Sequence, residues 1–313
     1  MKNKILITGG CGYIGTKLVN LLLKQNKSVI AVDTQWFGNY LKNHKNLKVI
    51  KSNIRDLNSK IFKNVETVIH LASVSNDPSS DLSPKLSWEA GPLATLELLE
   101  NCKKNNVKNF FYASSGSVYG VSKKNKVDED HPLLPISDYN KQKMVTEKVV
   151  ETFAKKIRVV IIRPATVCGY SKRLRLDTTV NILSYQAYKN NLITVFGGSQ
   201  IRPNIHIDDM VNVYNFFLKN KKSGIYNVGF ENLSVLNIAK MIQKKTNCKI
   251  KILKSTDPRS YRLSSKKILK NGFKPKKKVL DAIDELLYFF NNSKYQSSSK
   301  NVNVQHLIKK KIR

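Results

Sequence analysis

The stretch ILITGGCGYIG, residues 5–15, joins a short apolar run to three spaced glycines and the start of an amphipathic segment. The apolar run reads as a buried strand, and YIGTKLVNLLLKQ, from residue 13, has the spacing of a helix. Gly9, Gly12 and Gly15 fall at the join. Glycines there permit a tight bend and let backbone N–H groups approach a pyrophosphate at the positive end of the helix. The next apolar run, SVIAVD (28–33), ends on Asp33, 18 residues past Gly15. A carboxylate at that spacing can accept both hydroxyls of a ribose. It would repel a 2′-phosphate, so the pattern predicts NAD rather than NADP.

The same rhythm continues. Apolar runs at LKVIKS, TVIHLA, NFFYASS and RVVIIRP alternate with the helical patterns PLATLELLENCKK and KMVTEKVVETFAKK. Nearly continuous apolar strands separated by helices predict an α/β fold, a doubly wound parallel sheet of the Rossmann type covered on both faces. Residues 1–165 are expected to form this NAD-binding domain, with about 204–230 returning to it. Residues 166–203 and 231–292 are expected to form a smaller mixed α/β substrate-binding lobe. Residues 293–313 are polar and basic without acids, and read as a mobile tail.

Composition sets the outer bounds. The formal charge is +33, yet only nine of the 55 basic residues are arginine, and the lysines are scattered along the chain. Nucleic-acid surfaces cluster their charge and use arginine for bidentate contacts, so this charge reads as a solvated lysine surface with no specific nucleic-acid partner. The four cysteines lack C-x-x-C spacing, which predicts neither disulfides nor a metal site. No apolar run reaches 18 residues and no leader is evident, so a cytoplasmic protein without membrane insertion is expected.

Chemistry enters at SSGSVYG (114–120) and YNKQK (139–143). Tyr139 and Lys143 are four apart in a helical pattern and share a face. A phenol is a poor base at neutral pH, but neighbouring positive charge favours its phenolate. Ser115 follows the NFFYAS run, at the carboxyl end of a strand, where α/β sheets bind ligands. The three side chains predict a base, a cation that tunes it, and a hydroxyl that holds the reacting oxygen.

With TGGCGYIG, Asp33, SNIRD (52–56), VIHLAS (68–73), SSGSVYG, YNKQK, RPATVCG (163–169) and RPNIHIDD (202–209) in this order, the chain resembles the extended short-chain dehydrogenases/reductases. That family contains NAD-dependent nucleotide-sugar epimerases, dehydratases and decarboxylases. The resemblance covers about residues 3–290. It implies Ser115, Tyr139 and Lys143 as catalytic residues, with Lys143 also on the cofactor ribose. It implies cofactor contacts from Gly9, Gly12, Tyr13, Ile14, Gly15 and Asp33, from Asn53 and Ile54 beside the adenine, and from Leu71, Ala72 and Ser73 on the nicotinamide side. His70 reads as a packed strand residue.

Family dehydratases carry Thr-Asp-Glu where Ser115, Gly116 and Ser117 stand here, so the resemblance implies a 4-epimerase acting through a transient 4-keto sugar. A reductase, a dehydratase or a decarboxylase of the same family is the alternative, and a non-catalytic dinucleotide-binding scaffold is the alternative of another class. Arg202 matches a family position on the substrate pyrophosphate, Arg259 resembles a second, and Asn181 resembles an amide on the diphosphate. Ser75, Asn76 and Ser117 complete the expected nucleotide-sugar set. Arg173 and Arg175 are close enough in sequence to reach the same lobe and carry no assignment. Gly91 and Thr166 stand where the family often has asparagine. A homodimer through helices around 93–104 and 141–155 is also implied.

Overall fold

In the computed structural model, which describes residues 4–122, 126–254 and 260–312, seven parallel strands form one sheet. They are β1 (Lys4–Thr8), β2 (Ser28–Asp33), β3 (Leu47–Lys51), β4 (Val65–His70), β5 (Asn109–Ala113), β6 (Arg158–Pro164) and, much later in the chain, β10 (Gly224–Val228). Their order across the sheet is β10-β6-β5-β4-β1-β2-β3. The reversal between β1 and β4 creates the crevice where such sheets bind ligands.

Alternate side chains along each strand face opposite ways. On one face Ile5, Ile7, Val29, Phe111 and Val160 meet α1 (Tyr13–Lys24) and α7 (Ile207–Lys219), through Leu18, Leu22, Met210, Tyr214 and Phe217. On the other, Leu6, Ile30, Val68, Phe110 and Ile161 meet α4 (Ala94–Lys104) and α5 (Asp138–Glu151), through Leu98, Leu99, Cys102 and Val150. Two short helices, α2 (Asp77–Leu82) and α3 (Pro84–Trp88), precede a π-helical turn at Glu89–Leu93 that leads into α4.

The smaller lobe has its own core. α6 (Thr179–Asn190), α8 (Val235–Thr246) and α10 (Val279–Ser293) bury Leu183, Ile238, Ile242, Ile283, Leu286 and Phe290 around a two-stranded ladder. That ladder is β8 (Leu192–Phe196) beside β12 (Lys249–Leu253). A three-stranded sheet, β11 (Glu231–Ser234), β9 (Ile201–His206) and β7 (Thr166–Cys168), links the two lobes. A short helix α9 (Lys266–Lys270) lies against β10. No helix among the described residues is long and apolar enough to cross a membrane.

The expectation of a mobile tail is overturned. Tyr295 packs 5.1 Å from the ring of Phe289, and the Ser297 N–H donates to the Tyr185 hydroxyl at 3.1 Å. A 3-10 turn (Ser299–Asn301) and a last helix, α11 (Asn303–Lys309), then lie back across the molecule. Leu307 is buried there. So are Asn301, Asn303 and His306, each with hydrogen-bond partners far back in the sequence. Composition misleads because the tail docks through polar side chains rather than an apolar stripe.

Candidate active site

A cavity of about 660 Å³ opens along the carboxyl ends of β1, β2, β4 and β5. Gly9, Gly12, Tyr13, Ile14 and Gly15 line its floor where β1 turns into α1. Gly9 has φ +72°, and a Cβ on it would lie 2.8 Å from the Ala72 nitrogen; one on Gly15 would lie 2.2 Å from the Gly9 carbonyl oxygen. Side chains are therefore excluded from this cradle. The helix above it has no side-chain cap, and the first N–H groups of a helix lack intrahelical acceptors. Asp33 closes this end. Its carboxylate accepts the Gln35 N–H at 2.7 Å and the Cys11 N–H at 3.0 Å, one on each oxygen, which leaves lone pairs for further donors. Burial pushes its pKa upward against those two bonds. Asn53, which caps a 3-10 turn, and Ile54, Leu71, Ala72 and Ser73 line the walls.

Ser115, Tyr139 and Lys143 share the opposite wall. Ser115 sits just past β5, and Tyr139 and Lys143 occupy successive turns of α5. The Ser115 hydroxyl accepts the Ser117 N–H at 3.1 Å and lies 2.7 Å from the Ser117 hydroxyl, which in turn donates to Asn140. Burial and the nearby Asp77 push the Tyr139 phenol up to about 12, while Arg175 and a hydrogen bond with Ser115 pull it down. The Lys143 ammonium donates to the Ala113 carbonyl at 2.8 Å and lies 6.0 Å from the centre of the Tyr139 ring. Burial brings its pKa down to about 7, against the opposing effect of Glu147. Glu147 itself is held by a buried ion pair with Arg163 at 2.6 Å. His70, by contrast, bridges Thr8 and Thr95 at 2.6 and 3.0 Å and is held neutral by burial, down to about 3. It lies behind the site as a packed strand residue.

The sugar side differs in part from expectation. Arg202 on β9 lines the cavity, as do Ser75, Asn76 and Ser117. Ser75 and Asn76 also hold the two lobes together: the Ser75 hydroxyl accepts from Asn303 at 2.9 Å, and the Asn76 amide donates to Asp177 at 2.8 Å. Asn181 is corrected. It lies outside the cavity, fully buried, with its oxygen accepting the Gly169 N–H at 3.0 Å and its NH2 donating to Arg175 O at 2.9 Å and Tyr13 Oη at 3.1 Å. Its role is to shape the loop after β7. Arg259 falls outside the described residues.

The model of the NAD-dependent epimerase/dehydratase family matches residues 5–229, more than half of the chain. The chain belongs to this family. UDP-glucose 4-epimerase of Lactobacillus helveticus is 28% identical over 268 residues, covering 76% of this chain and 81% of that protein. The dTDP-D-glucose 4,6-dehydratase of Dictyostelium discoideum is 32% identical over 270 residues, 76% of this chain and 61% of that protein. Among solved structures, UDP-N-acetylglucosamine 4-epimerase from Methanobrevibacter ruminantium, in complex with UDP-N-acetylmuramic acid, superposes with a TM-score of 0.85 at 25% identity, covering 94% of this chain and 100% of that one.

The cofactor of this family member is NAD, and the residues present fit it: an uncapped helix end behind a side-chain-free cradle, with a carboxylate at the ribose end. Several lining residues of this epimerase/dehydratase left no mark in its sequence. Trp36, Phe37, Arg173, Asp177, Tyr261, Val302 and Asn303 all reach the cavity. Only Arg173 carried a signal, the scarcity of arginine in the chain. One possible metal-ligand group exists among the described residues, His206, Asp208 and Glu285. Lys17 at 2.6 Å from Asp208 and Lys277 at 3.3 Å from Glu285 already neutralise it, so it reads as an ion-pair network joining α1, α7 and α10.

Proposed function

We propose that this protein is an NAD-dependent nucleotide-sugar 4-epimerase. The observation that carries the reading is how the carboxylates lining the cavity are held. Asp33 accepts two backbone N–H groups, Asp77 accepts the Ser137 hydroxyl, and Asp177 pairs with Arg175 at 2.8 Å. Elimination of water from a sugar needs a carboxyl group that can trade protons at the ring. The wall formed by Ser115, Gly116 and Ser117 has none, whereas epimerisation at C4 asks of the protein only that one hydroxyl proton be taken and returned, the hydride being exchanged with NAD.

NAD, when bound, supplies a hydride acceptor that carries positive charge. Tyr139 takes the proton of the C4 hydroxyl, and Ser115 holds the same oxygen by hydrogen bonding. Lys143, a buried cation one turn away, favours the phenolate and donates to the ribose. Tyr139 would return the proton to the C4 oxygen, and the inversion, with no net redox change, would follow from the C4 hydride that NAD accepts being given back to the other face of the sugar. Arg202 supports a diphosphate by bidentate pairing. We also place the homodimer contact on α4 and α5, which pack side by side, with Leu93 59% exposed just before α4 and Leu96 44% exposed on it.

The test is incubation of full-length protein with UDP- and dTDP-linked hexoses, read by NMR for the C4 epimer. Mass spectrometry of the small molecules released on denaturation accompanies it. Epimer formation without added NAD, lost by about 100- to 10,000-fold in Tyr139→Phe, supports the reading. Accumulation of a 4-keto-6-deoxy product or loss of CO2 would transfer the protein to the dehydratases or decarboxylases. Net consumption of added NADH would make it a reductase. NAD binding without turnover of any sugar would favour the scaffold.

A further inference from the structure

Arg173 is 3% exposed and lines the dinucleotide end of the cavity, in the loop that follows β7. That loop lies over the start of α1: the Tyr13 hydroxyl donates to Gly169 O at 2.6 Å, and the Ser171 hydroxyl donates to Tyr13 O at 2.9 Å. The guanidinium stacks 4.1 Å from the centre of the Phe37 ring, just beyond the end of β2. One nitrogen, Nη2, donates to Asn303 Oδ1 at 2.5 Å, while buried Nε and Nη1 have no hydrogen-bond partner. Its neighbour Arg175 has its carboxylate, Asp177. A buried guanidinium with two unused donors is costly unless an anion completes it.

We propose that Arg173 binds the pyrophosphate of the dinucleotide, and that Asn303 on α11 positions it, which makes the C-terminal segment part of the cofactor site. The placement decides for the dinucleotide over the sugar nucleotide. Arg173 sits between the start of α1, where a pyrophosphate meets the helix end, and the Asp33 end of β2, where the ribose is held. The glycine loop carries no cation of its own, so its backbone N–H groups meet the anion from one side and Arg173 from the other. Asn303 fixes the guanidinium from α11, and its NH2 also donates to Ser75 beyond β4. His306, one turn on, meets the Trp36 carbonyl through Nε2 at 2.8 Å. The last helix thus joins the substrate lobe to both walls of the dinucleotide cleft.

The proposal rests on the NAD reading, which wild-type affinity tests separately in the same titration. Calorimetry on full-length protein stripped of cofactor would compare NAD, ADP-ribose and UDP. Arg173→Gln is expected to weaken NAD and ADP-ribose by about 10- to 100-fold and leave UDP unchanged. Arg173→Lys, which keeps the charge but loses the fork, should fall between, and Asn303→Ala should weaken NAD by several-fold. Thermal unfolding adds a signature that a purely structural arginine would not give. Without cofactor Arg173→Gln melts no lower than wild type, because an uncompensated buried charge has been removed, while the rise in Tm on adding NAD shrinks. Unchanged NAD affinity in both Arg173 variants overturns the proposal. So does a loss confined to UDP, which would move Arg173 to the substrate diphosphate.

Discussion

Lys143 is a cation whose burial opposes its charge, and that has a measurable consequence. Its folded pKa, about 7, lies below the 10.5 of a free lysine. Between those values the unfolded chain holds a proton that the folded chain has released, so stability from this group rises with pH across the window. Relative to Lys143→Met, wild-type unfolding free energy should climb by about 1.4 kcal/mol per pH unit from about pH 7 to 9.5, measured by urea denaturation. Parallel curves for the two proteins would refute it. Gly91 offers a second residue-scale test. A Cβ there would lie 2.2 Å from Gln142 Oε1, the tip of a fully buried side chain. Gly91→Ala should cost about 1–3 kcal/mol, and Gln142→Ala should recover most of it in the double variant. Ser115, Tyr139 and Lys143 were readable as candidates because each lies in a short linear pattern that names its neighbours. Asn181 was misread because an amide that holds a loop together and one that holds a phosphate look alike in one dimension. Arg173 went unassigned because its partner, Asn303, lies 130 residues away.

The elements of the parallel sheet were legible for a physical reason: strands covered on both faces must be apolar throughout, and the helices between them carry one apolar stripe. The last element was not. Residues 299–309 have the composition of a solvated tail, but their order comes from Asn301 donating to Leu174 O at 3.1 Å, from the Asn303 backbone N–H donating to the Asp177 carboxylate at 3.1 Å, and from His306 against Phe37 at 5.3 Å. Such contacts have no periodicity to read. Hydrogen–deuterium exchange on the intact protein should show the amides of α11 protected, exchanging far more slowly than those of a free peptide, with protection increasing when NAD is added. Exchange of residues 299–309 at the free-peptide rate, with and without NAD, would contradict this docking.

At the scale of the molecule the excess of positive charge matters for association. Two copies of a +33 chain repel each other, so any stable contact must combine apolar area with local charge of the opposite sign. The face made by α4 and α5 offers both. Leu93 and Leu96 are exposed there, α4 turns Glu97 outward, and α5 turns Lys141 and Lys148 outward. A twofold axis through such a face would bring Glu97 on α4 of one copy toward Lys141 and Lys148 on α5 of the other, with the leucines between them, since a twofold contact uses the same patch twice. Light scattering during size exclusion should therefore give twice the 35.6 kDa chain mass, and higher salt should favour the pair, because it screens the repulsion between the two positively charged chains. Leu93→Lys combined with Leu96→Lys adds four charges to the dimer face and should leave a monomer whose melting temperature without a partner is close to that of diluted wild type. A wild-type protein that stays at 35.6 kDa at every concentration would place the two leucines among ordinary exposed side chains and leave each cofactor cleft the property of a single chain.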